Sequence, residues 1–360
     1  MSFGDSHGES VTFLAKLVAG RWALAAIVTV FAAAAGCGSS DENRIREVVV
    51  EHASTIVAAA SGLLTRPYHI TVDDAGRIYV VDGQNDRILT FEPHGHHIAT
   101  LGRYGSGPGE LRRPSGLWIR DDTLIIADAG NGRLQRWTPT GEYLSMTPLP
   151  REARRGVPIS IWDSDKYLVA TRGLDGTLAK LLGPTDHEYR TFGTPSVPHI
   201  DTLQPMRETI RAGQIPVMFQ NIVLPFITDD HDVWLVPLGR PTVYRFDTLG
   251  VLLDSLPLPI PEQTSIEEAF FLANVANREP GIVITMRYVA DALVVGDALW
   301  LLLNLPEEYP TTMLVIERGQ VRDRIVFDAV RGAVAFAVDT AGRRVLFVQP
   351  DASVSAAPLP

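Results

Sequence analysis

The chain has 360 residues, of which 46% are hydrophobic and 21% charged. That composition supports a sizeable buried core and excludes a wholly disordered chain. Lys and Arg total 32 against 42 Asp and Glu, a formal charge of −10. No nucleic-acid partner is expected, because a general nucleic-acid binder needs a basic face to neutralise phosphates. The single cysteine, Cys37, excludes an intrachain disulfide framework and a cysteine-rich zinc module.

The first element is an address. Lys16 and Arg21 precede an uncharged, mostly apolar run from Trp22 to Gly36, which ends in Ala34, Ala35 and Gly36. A basic start, a short apolar run and small residues at its end describe a secretory signal peptide over 1–36. The run is shorter than the roughly 20 residues of a spanning helix. The alternative is an uncleaved anchor in which Cys37 is incidental. Ala34-Ala35-Gly36-Cys37 resembles the lipobox of bacterial lipoproteins, with Ala34 where Leu is usual. The resemblance implies that Cys37 is lipidated, that 37–43 is a polar tether to the membrane, and, with Gly38 following, that the address is the outer membrane, facing periplasm or cell surface.

Next comes a repeat. Gly76–Gly95 aligns with Asp122–Gly141 at an offset of 46 residues: Asp82 on Asp128, Asn85 on Asn131, Arg87 on Arg133, Phe91 on Trp137. A third copy spans Asp232–Gly250, and weaker ones lie at Lys166–Phe192, Ala298–Phe327 and Arg343–Val348. Each copy reads as four short strands, in the first near Tyr68–Val72, Arg77–Val81, Arg87–Phe91 and His97–Leu101, with turn residues between them. Four-stranded units at this spacing predict an all-β, six-bladed β-propeller over 44–360. Its blades start near Pro67, Pro114, Val157, Asn221, Asp291 and Gly332. The last is short, so the strand-like segment Arg44–Ala59 is expected to complete it and close the ring. Two stretches break the period, near 193–220 with a short helix at Met206–Ala212, and near 257–281. There Ser265-Ile266-Glu267-Glu268 reads as a capping box for a helix over Ile266–Ala276. Both are expected to be loop insertions.

The stretch Gly102–Ile119, followed by the D-x-x-N-x-R repeats, resembles the six-bladed β-propeller lipoproteins related to NHL-repeat proteins. The resemblance implies the fold and no single chemistry.

Candidate sites follow from the topology. Loops after second strands share one rim with the crossovers between blades. That rim would carry Arg103, Tyr104, Arg112, Arg113, Arg151, Arg154, Arg155, Arg172 and Arg240, and arginines on an acidic protein point to an anionic partner: a small ligand, a glycan or an envelope protein. The other reading is a solvated surface with ion pairs to Glu110, Glu152 and Asp175. Asp82 and Asp128 end second strands. Either they bind a metal or, since they recur with Asn and Arg at fixed offsets, they brace the turns. Gly105–Glu110 lacks the Lys-Ser/Thr of a phosphate loop and reads as a crossover. His69 lies on the innermost strand of blade 1, facing the channel or packed between blades. No cofactor is predicted.

Two functions remain. One is a lipid-anchored envelope propeller that binds a ligand or a protein. The alternative is a metal-dependent lyase or lactonase-type propeller holding a divalent ion in its channel, with His69, Asp82, Asp128 and Asn304 as first candidates.

Overall fold

The structure, a computed structural model, describes residues 44–155, 157–183, 185–195, 203–228, 231–277 and 282–360. The signal peptide, the lipidation at Cys37 and the tether lie outside the described residues. The rest is a ring of six sheets, each built on four antiparallel strands, as the repeat predicts.

The chain opens with β1 (Arg46–Val50) and β2 (Ser54–Val57). Blade 1 is β3 (Pro67–Val72), β4 (Ile78–Asp82), β5 (Arg87–Phe91) and β6 (His97–Leu101); blade 2 is β7 (Pro114–Arg120), β8 (Thr123–Asp128), β9 (Arg133–Trp137) and β10 (Tyr143–Pro148). Blade 3 is β11 (Ile159–Ile161), β12 (Tyr167–Ala170), β13 (Ala179–Leu182) and β14 (Glu188–Phe192). Helix α1 (Leu203–Arg211) precedes blade 4, which is β15 (Val223–Ile227), β16 (Val233–Pro237), β17 (Thr242–Phe246) and β18 (Leu252–Pro257). Helix α2 (Gln263–Ala276) precedes blade 5, which is β19 (Val289–Val295), β20 (Ala298–Leu303), β21 (Pro310–Glu317) and β22 (Gln320–Arg331). Blade 6 is β23 (Ala335–Asp339), β24 (Arg344–Val348) and β25 (Val354–Pro358).

The N-terminal segment closes the ring in two parts. Strand β2 pairs antiparallel with β25 as the fourth strand of blade 6, Ser54 opposite Ala356. Strand β1 instead runs parallel to β22 as a fifth strand of blade 5, Val48 opposite Ile325. The break falls at Glu51-His52-Ala53, between the two blades. The helices start three residues earlier than their sequence pattern suggests. Ile210 of α1 and Ile266 and Phe270 of α2 pack on the contact between blades 4 and 5.

The core is divided into slabs between blades. In β4, Ile78 and Val80 pack towards blade 6, while Tyr79 and Val81 pack towards blade 2. In β8, Leu124 and Ile126 face blade 1, and Ile125 and Ala127 face blade 3. Alternate side chains of a strand point to opposite faces, so a strand covered on both sides reads as a continuous apolar run.

At the loops after second strands, blades 1 and 2 carry the same clasp. Asp128 is fully buried and accepts bonds from Arg133 Nε (2.8 Å), Asn131 Nδ2 (2.8 Å), Gln135 Nε2 (2.9 Å) and the Arg112 amide (2.7 Å). Arg133 also donates to the carbonyls of Ser106, Gly107 and Glu110, which fixes the glycine-rich crossover before blade 2. Asp82 repeats the pattern with Asn85 (2.8 Å), Arg87 (3.0 Å) and the amides of Thr65 and Arg66. Burial alone would raise the Asp82 carboxyl, but these bonds, Asn85's foremost, outweigh it and hold it below the usual range. Removing one partner of such a pair strands the other in the protein. Asp128→Ala is therefore expected to cost about 3–5 kcal/mol in urea unfolding, whereas Arg103→Ala, at the exposed end of the ion pair with Glu110, should cost at most about 1 kcal/mol. Equal effects would refute the bracing role of the clasp.

Candidate functional site at the channel mouth

The first strand of each blade lines a central channel that widens into a chamber at each end. One chamber, of about 740 Å³, is ringed by the C-terminal ends of the first strands and their turns into the second strands. The other, of about 790 Å³, opens on the opposite face among the loops after second strands and the crossovers. Asp291 of β19 lines both and marks the waist.

The second chamber is cationic. Arg66, Arg113 and Arg287 line it, with Tyr68, Gln84 and Asp86. Arg66 sits where the Asp82 clasp holds its amide. Asp86, in the left-handed region at φ 54°, accepts the Arg113 amide at 2.6 Å, and Arg113 is itself at φ 46°. The start of blade 2 is thus tied to the loop of blade 1, and Arg113 is turned to the mouth. Gly83 has no side chain because the Tyr68 ring lies on it: a Cβ there would fall 2.3 Å from the ring. Burial, and then Asp86, push the Tyr68 phenol well above its usual range, so it stays a neutral donor. Arg287 lies between the buried Met286 and Tyr288, its carbonyl accepting from Asn304 Nδ2 at 3.0 Å. Over a third of its surface is accessible, but that surface faces the mouth, where the surrounding wall lowers the guanidinium pKa. An arginine stays charged even so. Among the described residues none of these three guanidiniums has a carboxylate partner, so their charge is available to a ligand.

The floor is acidic. Asp291 accepts the Phe336 amide at 3.1 Å and the Ala292 amide at 2.9 Å. Burial raises its carboxyl, against the opposing effect of His69. His69 Nε2 donates to the Leu117 carbonyl of the next blade at 2.8 Å, so His69 both lines the channel and joins blades 1 and 2.

Of the nine rim residues read from the sequence, Arg113 lines this mouth. Arg103 pairs with Glu110 at 3.0 Å, and Arg112 lies over the ring of the exposed Tyr104. Arg151 faces Asp186 at 3.9 Å, and Arg154 Nε donates to the Leu149 carbonyl at 2.8 Å. Arg172 is exposed at φ 59°. Arg240 donates to the Tyr244 hydroxyl at 3.1 Å and to Gln220. The Arg155 side chain lies outside the described residues. Asp82 and Asp128 are held inside their blades, away from the channel lining. Among the described residues no three His, Cys, Asp or Glu side chains gather closely enough to hold a metal ion. Sequence reasoning missed Arg66, Arg287 and Asp291. Arg66 directly precedes the Pro67 that starts blade 1, and that position was the available signal.

A family model described as a 6-bladed beta-propeller matches residues 58–186. No curated protein matches the chain. Among solved structures, a Bacteroides fragilis protein described as exported is 10% identical over 87% of this chain and 99% of its own, with a TM-score of 0.52. Virginiamycin B lyase from Staphylococcus aureus, in complex with quinupristin, is 11% identical over 86% of this chain and 88% of its own, with a TM-score of 0.45. At these identities the likeness is one of fold.

Because the Asp291 carboxyl titrates higher in the fold than in the unfolded chain, the folded state binds the extra proton. Stability is then greatest below the ordinary carboxylate range and falls as pH rises through the raised value. Asp291→Asn should remove that slope, so its melting temperature should match the parent's near pH 4 and exceed it near pH 8. Parallel melting curves at every pH would contradict the assignment.

Proposed function

We propose that this chain is an exported, lipid-anchored propeller that binds an anionic ligand in the arginine-lined mouth of its channel. The observation that carries the reading is the convergence of Arg66, Arg113 and Arg287 on one mouth, with no carboxylate partner for their guanidiniums among the described residues. Three guanidiniums outnumber the one carboxylate at the lip, Asp86. A carboxylate, phosphate or sulfate entering there exchanges water for charge-assisted, two-pronged hydrogen bonds in a partly desolvated site. Tyr68 adds a neutral hydroxyl donor. The floor at Asp291 supplies no cation for a second negative charge, which favours a ligand with its anionic group at the lip and an uncharged body below. Export and attachment through Cys37 rest on the sequence: the apolar run Trp22–Gly36, the small residues after it and the solitary cysteine.

The test is calorimetric titration with citrate, inorganic phosphate and oligogalacturonate at low salt. Arg287→Glu and Arg113→Glu should each weaken binding by roughly tenfold or more with melting unchanged, and added salt should weaken it further. Arg154→Glu, away from this mouth, should bind like the parent. If none of the three anions binds, or if the Arg113 and Arg287 variants bind as the parent does, the reading is wrong. Loss on Arg154→Glu alone would move the site to the wider rim.

A further inference from the structure

The chamber on the opposite face has a different chemistry and needs its own explanation. Two indoles line it, Trp118 from β7 and Trp162 just after β11, together with His69, His231 and Thr228. The Trp118 ring is seated on Gly116, where a Cβ would fall 2.5 Å from the indole. Its ring centre lies 6.4 Å from that of His69, which is itself fixed on Leu117. Trp162 lies 6.1 Å from His231 and 6.5 Å from Phe192. Arg120 donates to the carbonyls of Ile161 (2.8 Å) and Trp162 (3.4 Å), so the guanidinium braces the strand that carries the second indole. Each indole is half-buried and lines the chamber. Among the described residues neither indole N–H meets a protein acceptor.

The chamber thus offers aromatic surface held in place, two indole N–H donors without a protein acceptor, and one cation, Arg120, whose guanidinium is engaged by backbone carbonyls of the wall. A flat aromatic ligand fits poorly, because the indoles neighbour histidines rather than each other and form no parallel slot. An anion fits poorly, because the one arginine of the lining, Arg120, has its guanidinium donors turned to wall carbonyls and stands beside the Asp121 carboxylate. A sugar ring has what the walls lack: apolar C–H faces to lie on the indoles and hydroxyls at its edge to accept from the two indole N–H groups. The volume of about 740 Å³ is within the usual range of small-molecule pockets. We propose that this chamber is a binding site for a neutral saccharide, with Trp118 and Trp162 as its platforms. The inference is independent of the anion site at the other mouth.

The experiment is a fluorescence and calorimetric titration of the full chain with glucose, galactose, N-acetylglucosamine and their short β-linked oligomers. At least one should give a saturable change in tryptophan emission. Trp118→Ala and Trp162→Ala should each weaken that binding by about tenfold or more. Gly116→Val, which displaces the Trp118 ring without removing it, should weaken it too, and Trp118→Phe should recover part of the loss. Arg287→Glu should leave sugar binding intact, so this proposal and the anion-site reading fail separately. The proposal is overturned if no saccharide perturbs the emission at millimolar concentrations, if both alanine variants bind like the parent, or if only indole or a quaternary ammonium binds.

Discussion

A strand that is apolar on both faces is stable only between two other layers, and this chain is built from such strands. Tyr79 and Val81 point one way from β4 and Ile78 and Val80 the other, and β8 repeats the arrangement. Each blade therefore needs a neighbour on either side, and the requirement ends only when the last blade meets the first. Blade 6 has three strands of its own, and β2, brought from the other end of the chain, supplies the fourth. Val57 then joins Ile78, Leu346 and Val354 in the slab between blades 6 and 1. The channel exists because the ring is closed, and both mouths are held by strands that the closure fixes.

Loops built on this ring are positioned by polar clasps rather than by apolar packing. Asp128 and Asp82 each gather an asparagine, an arginine and at least one backbone amide at the end of a second strand. The same loops present Asp86, which in turn sets Arg113. The protein places acids inside the blade loops and leaves arginines at the mouth, which is how a chain of net charge −10 presents a cationic opening. At the other mouth the lining is aromatic, and Arg120 serves the wall rather than a ligand. Asp291, on a strand from blade 5, separates the two chemistries.

The fold was legible in the sequence because the two-faced strands leave uninterrupted apolar runs at a regular spacing, and because the Asp-Asn-Arg clasp repeats in blades 1 and 2. The division of the N-terminal segment was less legible. Val48-Val49-Val50 and Thr55-Ile56-Val57 read alike, and nothing local tells a parallel outer strand from an antiparallel closing one. The mouth was legible only in part. Arg113 belongs to the well-repeated region between blades 1 and 2, whereas Arg287 lies beyond α2, where Pro237, Arg240 and Thr242 already stand in place of Asp, Asn and Arg. Asp291 read as a blade start, and its position at the waist depends on Phe336 of blade 6, 45 residues on.

The most direct test of this account is thermal unfolding of a chain lacking residues 44–57, followed by circular dichroism alongside citrate titration. The account predicts that without β2 the cooperative transition of the intact chain is lost and citrate no longer binds, because an open ring exposes two blade faces and distorts both mouths. A truncated chain that melted as one cooperative unit at the parent's temperature, and bound citrate as tightly, would contradict it.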